Sequence, residues 1–91
     1  MRQRAIRNVS MNARDEFRRE MDEALTSLAG SIAPKIDQNS RDLLAEFIEN
    51  FEFGVALEWL HSLTVSKGIQ LSSEQEQEIR RLAQRMGLDL G

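Results

Sequence analysis

Apolar residues recur along most of the chain at spacings of three and four, which is typical of helices with one buried face. The first helix is predicted from about Asn12 to Ala29. Its apolar face is formed by Phe17, Met21, Leu25 and Leu28. Gly30 is expected to end this helix. Residues 31–36 are expected to form a linker, because Pro34 disfavours helix at the residue before it.

A second, strongly amphipathic helix is predicted from Ser40 to Phe51, capped by Asn39 or Ser40. At about 100° per residue, one side of this helix is apolar. That side carries Leu43, Leu44, Phe47, Ile48 and Phe51. Three carboxylates, Asp42, Glu46 and Glu49, lie almost opposite. The solvent side of the second helix is therefore predicted to be anionic.

A third helix is predicted from Phe53 or Gly54 to about Val65, before the pair Lys67-Gly68. Its main apolar face contains Ala56, Leu57, Leu60 and Leu63. Val55 and Trp59 lie roughly a quarter-turn away from that face. Gly54 separates two amphipathic segments, so we expect it to fix their junction with backbone angles that a side chain would strain.

The fourth helix has the clearest start signal. Ser72 with Gln75, or Ser73 with Glu76, forms a capping box. The inner face is predicted to contain Ile79, Leu82, Ala83 and Met86. Gly87 is expected to end the helix in a Schellman motif.

These periods predict an all-α protein, because no segment alternates long enough between apolar and polar residues to predict a strand. With 91 residues, the chain fits one domain. We expect a compact four-helix bundle over residues 10–91, preceded by a flexible basic N-terminus over residues 1–9.

Charge is unevenly distributed around the net value of −3. Residues 1–20 carry six arginines against three acidic residues. Residues 42–66 carry five acidic residues and no lysine or arginine. The carboxylates of the second helix are either a solvated face or a surface that meets a basic partner. Trp59, the only tryptophan, either packs at the edge of the core or anchors an interface.

Catalytic signals are sparse. The chain has no cysteine and a single histidine, His61, so a pair of histidines for metal binding is excluded. No Gly-rich phosphate loop or nucleophile motif is present. The N-terminal arginines are not interleaved with aromatic residues, which argues against direct binding of nucleic acid. No segment approaches the ~20 apolar residues of a membrane span. We therefore expect a cytoplasmic protein without enzymatic activity, cofactor, metal or membrane contact.

The segment from Leu43 to Asp89 resembles a known family. Residues 43–60 read LLAEFIENFEFGVALEWL, and they are followed by GIQLS (68–72) and IRRLAQRMGL (79–88). This pattern is similar to small immunity proteins of bacterial polymorphic toxin systems, especially the MafI-like group. Shared features are a short helix, the break at Glu52-Phe53-Gly54, an Ala-x-Glu-x-Leu helix and a final helix opened by serine or aspartate. The arginine-rich first twenty residues lie outside the resemblance.

The resemblance implies a cytoplasmic inhibitor of a cognate toxin, as in contact-dependent growth inhibition, and such toxin domains are often nucleases with basic active sites. We expect the second and third helices to occlude the toxin. The predicted contact residues are Asp42, Glu46, Glu49, Glu52, Glu58 and Trp59. The alternative is a helical adaptor or homodimeric regulatory subunit that binds another protein. When free, the chain is expected to be a monomer or a weak dimer.

Overall fold

Four α-helices build the protein in a computed structural model that describes the backbone of residues 2–90 and the side chains of residues 13–90. They are α1 (Arg2–Ile32), α2 (Gln38–Glu49), α3 (Phe53–Ser66) and α4 (Ser73–Met86), and a short 3-10 turn (Ala33–Lys35) follows α1. No strand occurs between residues 2 and 90. The predicted all-α bundle is therefore confirmed.

The helices pack around a central pair. α1 and α3 each contact the other three helices, and α2 and α3, joined by residues 50–52, pack against each other as a hairpin. The core contains one apolar stripe from each helix together with Ile36. Its members are Met21, Leu25, Leu28, Ile32, Ile36, Leu44, Ile48, Phe53, Ala56, Leu57, Leu60, Ile79, Leu82 and Ala83. The buried face predicted for each helix is thus largely correct, but Phe17, Leu43 and Phe51 are exposed.

The connection between α1 and α2 differs from its prediction. α1 continues through Gly30 to Ile32, which is fully buried and extends the stripe of Leu25 and Leu28 by one turn. The expected linker is reduced to the 3-10 turn and two further residues. Arg41 closes this turn by donating to the carbonyl oxygens of Ala33 and Ile36, at 2.8 and 2.7 Å.

The start of α2 also differs from its prediction. Asp37, rather than Asn39 or Ser40, is the N-cap, and its Oδ1 accepts a 2.8 Å hydrogen bond from the Ser40 amide. Hydrogen bonds from Ser40, first from its hydroxyl and then from its amide, hold the pKa of Asp37 below its ordinary value. The helix therefore begins two residues early, at Gln38.

The signals at both ends of α4 are confirmed. Ser72 and Gln75 form the predicted capping box, and Gly87 has the left-handed φ of 69°. Gln75 also donates through Nε2 to the carbonyl oxygen and the hydroxyl of Ser31. One side chain therefore caps α4 and joins it to the end of α1.

A flexible N-terminus is predicted over residues 1–9. The side chains of these residues lie outside the described part of the chain, so this stays a prediction. Within residues 2–90, no helix is both long enough and apolar enough to cross a bilayer.

Candidate protein-binding surface

The outward face of α2 is a stripe of exposed carboxylates. Asp42, Glu46 and Glu49 fall within about 60° of one another around the helix and nearly opposite the buried Leu44 and Ile48. We call these three carboxylates the acidic stripe. Gln38 Nε2 donates to Asp42 Oδ1 at 2.8 Å. This neutral partner leaves the negative charge of the stripe uncompensated.

No cation neutralises the acidic stripe among the side chains of residues 13–90. The ion pairs in that range involve other residues, Glu20, Glu78, Arg81 and Arg85. Arg41 is the one basic residue of α2, and its guanidinium is held by the two carbonyls of the 3-10 turn and by Gln38. The basic residue nearest the stripe in sequence therefore serves the α1–α2 connection.

Charges between α1 and α4 are arranged in the opposite way. Arg85 donates two hydrogen bonds to Glu20, and Arg81 lies 3.6 Å from the same carboxylate. Arg81 also pairs with Glu78 at 2.8 Å. The hydrogen bond from Arg85 lowers the pKa of Glu20, and that from Arg81 lowers the pKa of Glu78. This α1–α4 network neutralises its own carboxylates.

The remaining two predicted carboxylates, Glu52 and Glu58, are exposed but separate from each other. Glu52 occupies the N-cap of α3 without a side-chain capping bond, close to the end of the acidic stripe. Glu58 lies about 100° around α3 from Trp59, on the side of Gly54, which faces Leu88 after α4. Glu52 therefore follows the acidic stripe in sequence at the turn between α2 and α3, whereas Glu58 lies within α3 itself.

Trp59 lies at the seam between α2 and α3. Its ring packs edge-on against Phe47, with centroids 6.1 Å apart and planes at 64°. The indole is partly exposed, and Leu43, one turn before Phe47, is 37% exposed. Trp59 thus packs at the edge of the core, which is the first of its two interpretations. Its exposed part also leaves apolar surface beside the acidic stripe.

The expectation of backbone strain at Gly54 is wrong. Gly54 lies in the first turn of α3, and an added Cβ would meet the Leu88 side chain at 3.8 Å, an ordinary contact. The residue with a positive φ at this junction is Phe51, at 60°. A left-handed conformation costs a residue with a Cβ roughly 1–2 kcal/mol. The strain therefore lies three residues earlier, on an aromatic residue.

Phe51 is a functional candidate that the sequence pattern placed on the apolar face of α2. Its side chain is 54% exposed, although the Arg18 guanidinium lies 4.9 Å from the ring centroid and the Phe53 ring is 6.0 Å away. The one sequence signal for a strained residue here is that α2 ends without a glycine, in the segment Asn50-Phe51-Glu52. Asparagine is the more usual left-handed residue of that segment.

Other features of the described residues carry less chemistry. No group of three or more potential metal ligands occurs among them. His61 is half-buried beside an open groove between α3 and α4. A smaller groove between α1 and α2 is lined by Ala29, Gly30 and Ala45. In the larger groove the Thr64 hydroxyl donates to the carbonyl oxygen of His61 at 2.8 Å rather than to its imidazole.

Comparison of the chain with known proteins finds no matching family model, no matching curated sequence and no matching solved structure. The resemblance to immunity proteins therefore remains a prediction from the sequence.

Proposed function

We propose that this chain is an immunity protein that binds a cognate toxin domain, of the basic nuclease class, and blocks it by covering it with the α2–α3 hairpin. The observation that carries the proposal is the acidic stripe, whose three exposed carboxylates have no ion-pair partner among the described side chains. The resemblance of residues 43–89 to immunity proteins supplies the class of partner.

The electrostatic argument begins with self-repulsion. Neighbouring like charges on a helix face destabilise it slightly, and an exposed helix that serves only solubility usually mixes both signs. The stripe keeps one sign over two turns, and a further exposed carboxylate, Glu52, follows three residues later at the N-cap of α3. A partner with lysine and arginine side chains would neutralise these charges and would be steered toward them before contact.

Apolar surface beside the stripe supports the same binding mode. Leu43 and Trp59 border the α2–α3 seam and remain partly exposed. Protein interfaces combine a dehydrated apolar centre with a polar rim, and tryptophan is enriched at their centres. The α2–α3 seam would provide the apolar centre of the interface, and the acidic stripe would form part of its polar rim. Inhibition by occlusion requires no catalytic residue, cofactor or metal from this chain.

The neighbouring gene is expected to encode a large secreted protein that ends in a toxin domain. The decisive experiment uses that domain, inactivated at its catalytic site. Wild-type chain should form a stable complex with it and should protect cells that express the active toxin. The variant Asp42→Lys/Glu46→Lys/Glu49→Lys should bind more weakly and protect less. A matched control reverses three exposed carboxylates on α1 and α4, Glu16, Glu23 and Glu76, and should bind like wild type. If wild-type chain neither binds nor protects, the proposal is wrong.

A homodimeric adaptor is the second candidate, and it is favoured by Val55. This residue is 45% exposed and lies one turn before Trp59 on α3. Light scattering on the isolated chain separates the two candidates. A stable dimer that Val55→Glu disrupts would favour the adaptor, whereas a monomer would favour the immunity protein.

A further inference from the structure

Three helices of this protein end with the same backbone motif. At the end of α2, Glu52 N–H donates to the Phe47 carbonyl at 2.9 Å and Phe51 N–H to that of Ile48 at 3.0 Å. The same two bonds close α3 around Gly68 and α4 around Gly87. Each end is a Schellman motif, in which one residue must adopt the left-handed conformation.

The residue in the left-handed position differs between the three ends. Its φ is 60° at Phe51, 61° at Gly68 and 69° at Gly87. Glycine adopts this conformation without steric penalty, whereas the Cβ of phenylalanine approaches the following carbonyl oxygen. The chain therefore uses glycine at two of three equivalent positions and a large aromatic residue at the third.

Packing within the fold does not explain the aromatic residue. More than half of the Phe51 side chain stays exposed with Arg18 and Phe53 beside it. A cation near an exposed ring contributes little, because water competes for both groups. Glycine at this position would keep both hydrogen bonds of the motif, which come from backbone atoms. A strained residue that the fold does not require is a reason to look for a function.

The charges around Phe51 indicate the partner surface. Arg18 lies against the ring itself, 4.9 Å from its centroid. The residues that flank Phe51 in sequence are acidic: Glu49, the last carboxylate of the acidic stripe, lies two residues before it, and Glu52 lies one residue after it. Neither takes part in the ion pairs found among the described side chains. A complementary surface therefore offers an apolar pocket with lysine or arginine at its rim.

We infer that Phe51 is the aromatic anchor of partner binding, inserted into a cation-rimmed apolar pocket of the toxin domain. The inference rests on the proposed function and deepens it, because it names a residue outside the predicted contact set. In this arrangement the acidic stripe steers the encounter, and Phe51 slows dissociation of the complex. The strain at Phe51 is then retained for binding rather than for folding.

The test compares Phe51→Gly with wild type for binding to the same inactivated toxin domain. The variant should melt at the same temperature or higher, since it relieves the left-handed strain. Its Kd should be weaker by about tenfold or more, mainly through faster dissociation, as expected for a truncated aromatic hot spot. Phe51→Asn should behave similarly, and Phe51→Tyr should retain most of the affinity. Val65→Ala, at a valine that is 68% exposed elsewhere on α3, should bind like wild type.

Two results would overturn the inference while leaving the proposed function intact. One is wild-type affinity of Phe51→Gly while the acidic-stripe variant binds weakly. The other is a clearly lower melting temperature of both Phe51→Gly and Phe51→Asn, which would make the ring structural. Failure of wild-type chain to bind the toxin domain would overturn both proposals.

Discussion

The outer faces of α2 and α4 are both rich in charge, but among the described side chains only α4 forms ion pairs. Glu78 and Arg81 of α4 pair with each other, and Arg81 and Arg85 reach Glu20 of α1. The acidic stripe on α2 has no such partner among the described side chains. Arg41, the only basic residue of α2, is turned toward the backbone of the α1–α2 connection.

This difference separates charges that the fold uses from charges that it leaves available. The α1–α4 network links two helices that are distant in sequence, so its charges contribute to the bundle. The acidic stripe links nothing and repels itself. Carboxylates that have no cation beside them in the free chain can be neutralised by a basic partner. The proposed function rests on this difference between α2 and α4.

The largest expected effect comes from reversing charge on each face separately. Asp42→Lys/Glu46→Lys/Glu49→Lys should weaken toxin binding by about tenfold or more and leave the melting temperature nearly unchanged. Arg81→Glu/Arg85→Glu should do the opposite, lowering the melting temperature and leaving binding unchanged. Calorimetry of unfolding and of binding on both variants checks this. If both variants changed the melting temperature and the toxin affinity in the same way, the distinction between the two charged faces would be wrong.

The next effect concerns Trp59, which belongs to both packing and the proposed interface. Trp59→Ala should lower the free energy of unfolding by about 2–3 kcal/mol, because it removes the edge-on contact with Phe47 and leaves a gap at the seam. Trp59→Phe should recover most of that stability. Denaturant unfolding measures both. If Trp59→Phe restores stability but not toxin affinity, the indole also contacts the partner.

A smaller effect is expected from acid. The pKa of Glu20 lies below its ordinary value of 4.5 because Arg85 donates a hydrogen bond to the carboxylate. A carboxyl with a lowered pKa in the folded state stabilises the protein above its unfolded pKa, and this contribution is lost as pH falls through the folded value. Glu20→Gln should therefore melt slightly lower than wild type at pH 7. The difference in melting temperature should shrink progressively as pH falls below 4.5 and through the lowered pKa of Glu20. A difference that stays constant on acidification would contradict the role of the pair.

The smallest effect is expected at Gly54, where the structure removes the reason for strain. The first turn of α3 has room for a methyl group near Leu88. Gly54→Ala should therefore be neutral or should stabilise by about 0.5–1 kcal/mol, since alanine loses less entropy in a helix. Thermal melting of the variant checks this. A clear loss of stability would mean that a side chain at Gly54 does strain the junction.

Most of the fold was accessible from sequence because burial follows helical periodicity. The stripe of Met21, Leu25 and Leu28 and the capping box of Ser72 and Gln75 express local rules that no tertiary contact overrides. The end of α1 was not accessible in this way. Pro34 and Gly30 both predicted an earlier stop, but burial of Ile32 in the core favours another turn of helix.

The candidate surface was accessible only in part. Periodicity alone placed the acidic stripe opposite the core, and the structure agrees. Which carboxylates lack a cation depends on tertiary placement, as shown by Glu20, whose partners lie more than sixty residues away in sequence. The left-handed Phe51 could not be predicted, because conformational preference at that helix end favours the neighbouring Asn50.

The most direct test of the acidic stripe is the salt dependence of association, measured by stopped flow with the inactivated toxin domain. The Debye length falls from about 30 Å at 0.01 M to about 8 Å at 0.15 M ionic strength, which screens steering by exposed charges. Wild-type association should slow by about tenfold or more over this range. The lysine variant of Asp42, Glu46 and Glu49 should associate more slowly at low salt and respond much less to added salt. Equal rates and equal salt slopes for the two chains would contradict the account, because the stripe would then be only a solvated face.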